Sequence, residues 1–70
     1  MSTKIHEEPR LLEIARENYT DMILRATGLD RDVFTDYFNS WMDQQTFSAL
    51  EGLRRCYVRV KLGQALPWAK

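Results

Sequence analysis

Cysteine, histidine, proline and glycine are all scarce in this 70-residue chain, and each scarcity closes a route. The one cysteine, Cys56, forbids an internal disulfide. The one histidine, His6, sits in a polar opening segment. A zinc site wants about four Cys, His or carboxylate ligands at set spacings, and no such spacing is legible. No metal and no cofactor is therefore expected. Gly28, Gly52 and Gly63 stand far apart and form no phosphate-cradling loop. No apolar run approaches the ~20 residues that a spanning helix needs. The opening MSTKIHEEP has no apolar stretch of the secretory-signal kind. With a lone thiol, the expectation is a cytoplasmic protein without membrane contact.

Net charge is also missing: ten Lys and Arg balance ten Asp and Glu. The balance hides a division. Residues 1–53 hold all ten acids against five bases, and residues 54–70 hold five bases and no acid. Such a split is more informative than the zero total. Size sets a further bound. A chain this short buries only about 60% of the surface its unfolded form exposes, and its core supplies at most ~3–5 kcal/mol. Without a disulfide or a metal, a second copy of the chain is the expected staple.

What is present reads as helix. Residues 1–7 are polar and terminal, and a disordered leader is expected there. A first helix should start near Pro9, a residue favoured at the first helical position. Leu12, Ala15, Tyr19, Met22 and Ala26 then recur at spacings of three and four, with Leu11 and Ile23 widening the stripe. Asp21 precedes Arg25 by four, a weak supporting pair. Gly28 should end this helix in the left-handed conformation. Asp30 is a good N-cap for a second helix, with Leu29 and Phe34 placed as a hydrophobic staple. That helix carries Phe34, Tyr37, Phe38, Trp41 and Met42 on one face and Asp32, Asp36, Asn39, Ser40 and Asp43 on the other.

Two readings of the next stretch compete. Ser48-x-x-Glu51 is a capping-box pattern, which breaks the chain near residues 43–48 and starts a third helix. The rival is one long bent helix from Asp30 to Leu62. Val58, Val60 and Leu62 alternate with Arg59 and Lys61, a strand-like period, but no other segment offers a strand to pair with. Helix is expected, capped by Gly63. The expected fold is all-α, a helical hairpin or three-helix unit over residues 8–63, associating as a homodimer. The tail, residues 64–70, should be extended around Pro67, with Leu66 and Trp68 folding back onto a helix or a second subunit.

The stretch ILRATGLDRDVFTDYFNS resembles the core of TetR-type helix-turn-helix repressors through Ala26, Gly28, Leu29, Tyr37 and Phe38. The resemblance implies a second helix that reads DNA. Its departures are Asp30, Asp32 and Asp36, which stand where phosphate contact would fall and would repel a duplex carrying a charge every ~1.7 Å. The likeness is therefore taken as one of cap and core pattern. A DNA-binding regulator would have to use the basic C-terminal segment instead: Arg54, Arg55, Arg59 and Lys61. The same acids oppose anionic lipid.

No constellation suggests catalysis. The acids lie on solvent faces, and Cys56 has no arguable base beside it, so a non-enzymatic protein is expected. The eight aromatics, set in so short a chain, suggest contact surfaces, because aromatic residues, Met and Arg are enriched at interfaces. Tyr37, Trp41 and Met42 are the expected apolar contacts. Asp32, Asp36 and Asp43 are the expected steering charges toward a basic partner. The function expected is that of a small adaptor or inhibitor binding another cytoplasmic protein. A DNA-binding regulator is the kind of partner meant, as with the anti-activators and anti-repressors of bacteriophages.

Overall fold

The computed structural model describes residues 2–69, with side chains from Arg10 onward. Those residues form three helices and no strand: α1 (Ser2–Thr27), α2 (Arg31–Met42) and α3 (Ala49–Lys61). α1 begins at Ser2, ahead of the start expected at Pro9 and inside the leader expected to be structureless. Neither glycine nor a second proline stands before Pro9 to stop a helix. An interior proline removes one backbone bond, at about 3 kcal/mol.

The helix ends follow local chemistry. Gly28 takes φ +73° and donates its N–H to the Leu24 carbonyl at 2.8 Å, which closes α1. The Asp30 carboxylate then accepts from the N–H groups of Asp32 (3.1 Å) and Val33 (3.4 Å) and opens α2. Asp21, expected to pair with Arg25, instead meets Arg31 across the turn. Both groups are about half exposed, so the pair contributes at most ~1 kcal/mol. The break after Met42 is real, and a single bent helix is excluded. Ser48 Oγ accepts from the Glu51 N–H at 3.3 Å and caps α3. At the far end Gly63, φ +73°, and Gln64 donate to the carbonyls of Val60 (3.1 Å) and Arg59 (2.8 Å), the two bonds of a Schellman cap. The Val58–Leu62 alternation is thus helical: Val60 packs against the core, while Val58 and Leu62 stay outside.

The core takes a few residues from every element. Ile23 of α1, Phe34 and Phe38 of α2, Leu53 and Cys56 of α3 and Leu66 of the tail are buried. On α1 the inner face is centred on Ile23, with Tyr19 and Leu24 beside it. Leu12 and Met22, expected on the inner stripe, are instead exposed. α1 packs chiefly on α3, and a narrow period-3.5 seam drawn from α1 alone misplaces the centre of the face it buries. Leu11 and Ile14 are exposed as well, and at 26 residues α1 is at least twice the length of either other helix.

The tail is part of the body. Leu66 is buried, and the Trp68 ring lies 5.6 Å from Phe34, 5.9 Å from Trp41, 6.4 Å from Phe38 and 6.5 Å from Tyr37. Arg59 Nε donates to the Ala65 carbonyl at 2.6 Å and ties the same segment to α3. Gly52 permits the other close approach. A Cβ built there would meet Met42 Sδ at 2.5 Å and two Phe38 ring carbons at 3.3 Å.

Two stability tests follow from these contacts. Trp68→Ala should cost on the order of 3 kcal/mol, most of what a chain of this size has, and urea titration followed by circular dichroism should show a largely unfolded protein. Gly52→Ala gains ~1 kcal/mol of helix propensity but overpacks Phe38 and Met42, a cost of roughly 1–3 kcal/mol. It should lower the urea midpoint, and less so in a Met42→Ala background, where the sulfur is gone.

Candidate functional site

α2 separates its side chains into three rows. Phe34 and Phe38 face the core. Asp32, Asp36 and Asp43 point to solvent, and among the described residues none of them has an ion-pair partner. Between these rows lie Val33 and Tyr37, 45% and 57% exposed. Leu29 precedes them at the same four-residue spacing and is 38% exposed. Leu29, Val33 and Tyr37 line a shallow groove of about 440 Å³ whose other wall is the tail, at Leu66 and Trp68. The Tyr37 ring lies nearly parallel to Trp68, at 8° between planes. The residue stays 57% exposed beside that contact.

Four of the six expected contact residues are on this surface: Asp32, Asp36, Tyr37 and Asp43. The other two are not free surface. Trp41 is half-buried, with its ring 6.0 Å from Phe38, 5.5 Å from Phe47 and 5.9 Å from Trp68. Met42 is half-buried over Gly52. Both serve the inner packing, because the tail and the 43–48 turn close over the end of α2 where the helix alone would expose them. Val33 and Leu29 were missed. The signal for Val33 was its place four residues before Tyr37, on the same face of α2; Leu29 lies before the Asp30 cap, where helix periodicity does not reach.

The basic residues of α3 are divided. Arg54, Arg55 and Arg59 line a groove of about 330 Å³ with Trp41, Val58 and Pro67, and Glu51 lies in the same groove. Glu51 accepts from Arg54 at 3.5 Å and from Arg55 at 3.3 Å. The Arg55 guanidinium also stands 4.4 Å over the Phe47 ring, a cation–π contact. Lys61 is elsewhere, with its ammonium 5.9 Å from the Tyr57 ring, beside Met22 and Arg25. The four expected nucleic-acid contacts therefore do not form one ridge. Among the described residues no group of three or more His, Cys, Asp or Glu side chains is placed to hold a metal ion.

Cys56 is fully buried between the helices. Burial pushes its thiol up to about 11, against a smaller lowering by the nearby Arg59 charge. The thiolate is the reactive form, so native Cys56 should not react with a disulfide reagent at pH 8. Reaction in urea, and little without it, is the expected result of a thiol-titration assay. No helix among the described residues is long and apolar enough to cross a membrane. No protein-family model, curated protein or solved structure matches the chain.

Proposed function

We propose that this chain is a small non-enzymatic binding protein of the cytoplasm. It associates with itself as a homodimer, and it holds a second protein through the exposed side of α2, changing that protein's activity. One observation carries the reading. Val33 and Tyr37 stand bare in a row beside three carboxylates, Asp32, Asp36 and Asp43, that have no ion-pair partner among the described residues. An aromatic anchor beside unspent charge of one sign is the usual makeup of a protein-binding patch. The charge selects a basic partner. A DNA-binding regulator is basic where it meets DNA, and an acidic helix that covers that surface inhibits it, as a bacteriophage anti-activator or anti-repressor does.

A second reading has an observation of its own: three arginines share one groove on α3. Direct DNA binding would use them. Against it, Glu51 occupies the same groove, Lys61 lies apart, and the acids of α2 sit on the same small body.

Affinity capture with wild type, Tyr37→Ser and Asp36→Lys in parallel tests the first reading. Trp41 is not the residue to truncate, since it belongs to the core packing. Loss of a hot-spot side chain costs ~2 kcal/mol or more, about 30-fold in affinity, so a true partner should be retained by wild type and lost by both variants. Salt-sensitive binding of random duplex DNA in a low-salt gel shift, abolished by Arg54→Ala with Arg55→Ala, would establish the second reading instead.

A further inference from the structure

We propose that a second copy of this chain covers the face that runs from α2 across the tail to α3, in a two-fold dimer that sets the acids of each copy against the arginines of the other. This rests on the homodimer part of the reading above and gives it a location.

The face is continuous. Tyr37 lines both the depression that holds Asp36 and the groove that holds Trp68. Trp68 contacts Trp41, and Trp41 and Pro67 border the arginine groove. Its middle is apolar: Val33, Tyr37 and, across the tail, Val58, each 45–57% exposed. Its two margins carry opposite charge, with Asp32, Asp36 and Asp43 along α2 and Arg54, Arg55 and Arg59 along α3.

A two-fold interface brings one patch against itself, so the patch must be self-complementary. A surface with charge of one sign at both margins fails that test. This one meets it: rotation by half a turn lays each acidic margin on the other copy's basic margin, with the apolar strips between. The acids have no ion-pair partner among the described residues. On the basic margin Arg54 and Arg55 share the one carboxylate of Glu51 and Arg59 bonds a backbone carbonyl, which leaves three guanidinium charges against one carboxylate, each group using one of the five hydrogen bonds it can donate. A stable interface takes about 800 Å² from each partner, roughly one-seventh of the 5498 Å² this chain exposes. A nucleic acid on the same face would meet the three carboxylates, and an entirely basic protein would meet the three arginines. A second copy satisfies both margins at once. It also excludes the partner from α2 while it is bound.

Sedimentation equilibrium on the full chain tests this. Wild type should dimerise, with the dissociation constant rising at least about tenfold between low and high salt, as opposed charges require. Asp36→Lys with Asp43→Lys makes both margins basic and should give monomers. Arg54→Glu with Arg55→Glu makes both acidic and should also give monomers. An equimolar mixture of the two should restore the dimer as a heterodimer. Should a double variant lose its helical dichroism, hydrogen exchange on wild type decides: residues 31–42 and 54–69 should slow with rising concentration, and residues 10–26 should not. Dimers that persist in both variants with the wild-type dissociation constant, or protection confined to α1, overturn this face and leave the homodimer standing. A monomer at every concentration removes the homodimer and this face together, while the Tyr37-dependent capture above remains a separate test of partner binding.

Discussion

The seat of Trp68 on α2 is the contact on which the shape of this molecule depends. The indole meets four α2 rings, Phe34, Tyr37, Phe38 and Trp41. Aromatic pairs at these separations contribute ~0.5–1.5 kcal/mol each beyond the area they bury. For a chain whose core is worth only a few kcal/mol, that is a large share. The tail is held from its other side as well, by Arg59 through the Ala65 carbonyl. A segment that looks like a terminal appendage therefore acts as the wedge between α2 and α3. Leu66 enters the core beside it.

That wedge decides which side chains face outward. It lies along Tyr37 and, with Phe47, encloses Trp41. What stays bare is a strip with carboxylates on one margin and guanidinium groups on the other. The charge division along the sequence, with no acid after residue 53, becomes a division across a surface, because α2 and α3 flank the tail. The proposed binding role and the proposed dimer both draw on this one consequence.

Local signals were legible where a single residue type has one cheap conformation. Gly28, Asp30, Ser48 with Glu51, and Gly63 marked four helix ends, and the structure uses all four. The folding back of Leu66 and Trp68 was also readable, as apolar residues beyond a helix with nothing of their own to pack on. The direction of Trp41 and Met42 was not. Periodicity places a residue on a helix face but does not say what else covers that face, and here the cover comes from residues 43–48 and 64–69. The centre of the α1 inner face was misplaced for the same reason, since a stripe drawn from one helix does not say where its neighbour, chiefly α3, will lie. That Phe38 and Met42 come close to Gly52 was not legible either, because such a contact joins residues ten or more apart in the chain.

The two tryptophans are the whole indole content of the protein, and they stand 5.9 Å apart, tilted by 57°. Transition dipoles that close and that oblique couple, so the ultraviolet dichroism carries a contribution from the pair beside those of the single rings. The molecule thus contains its own optical gauge. Lifting the tail, or pressing a ligand against it, changes that spectrum without any attached label.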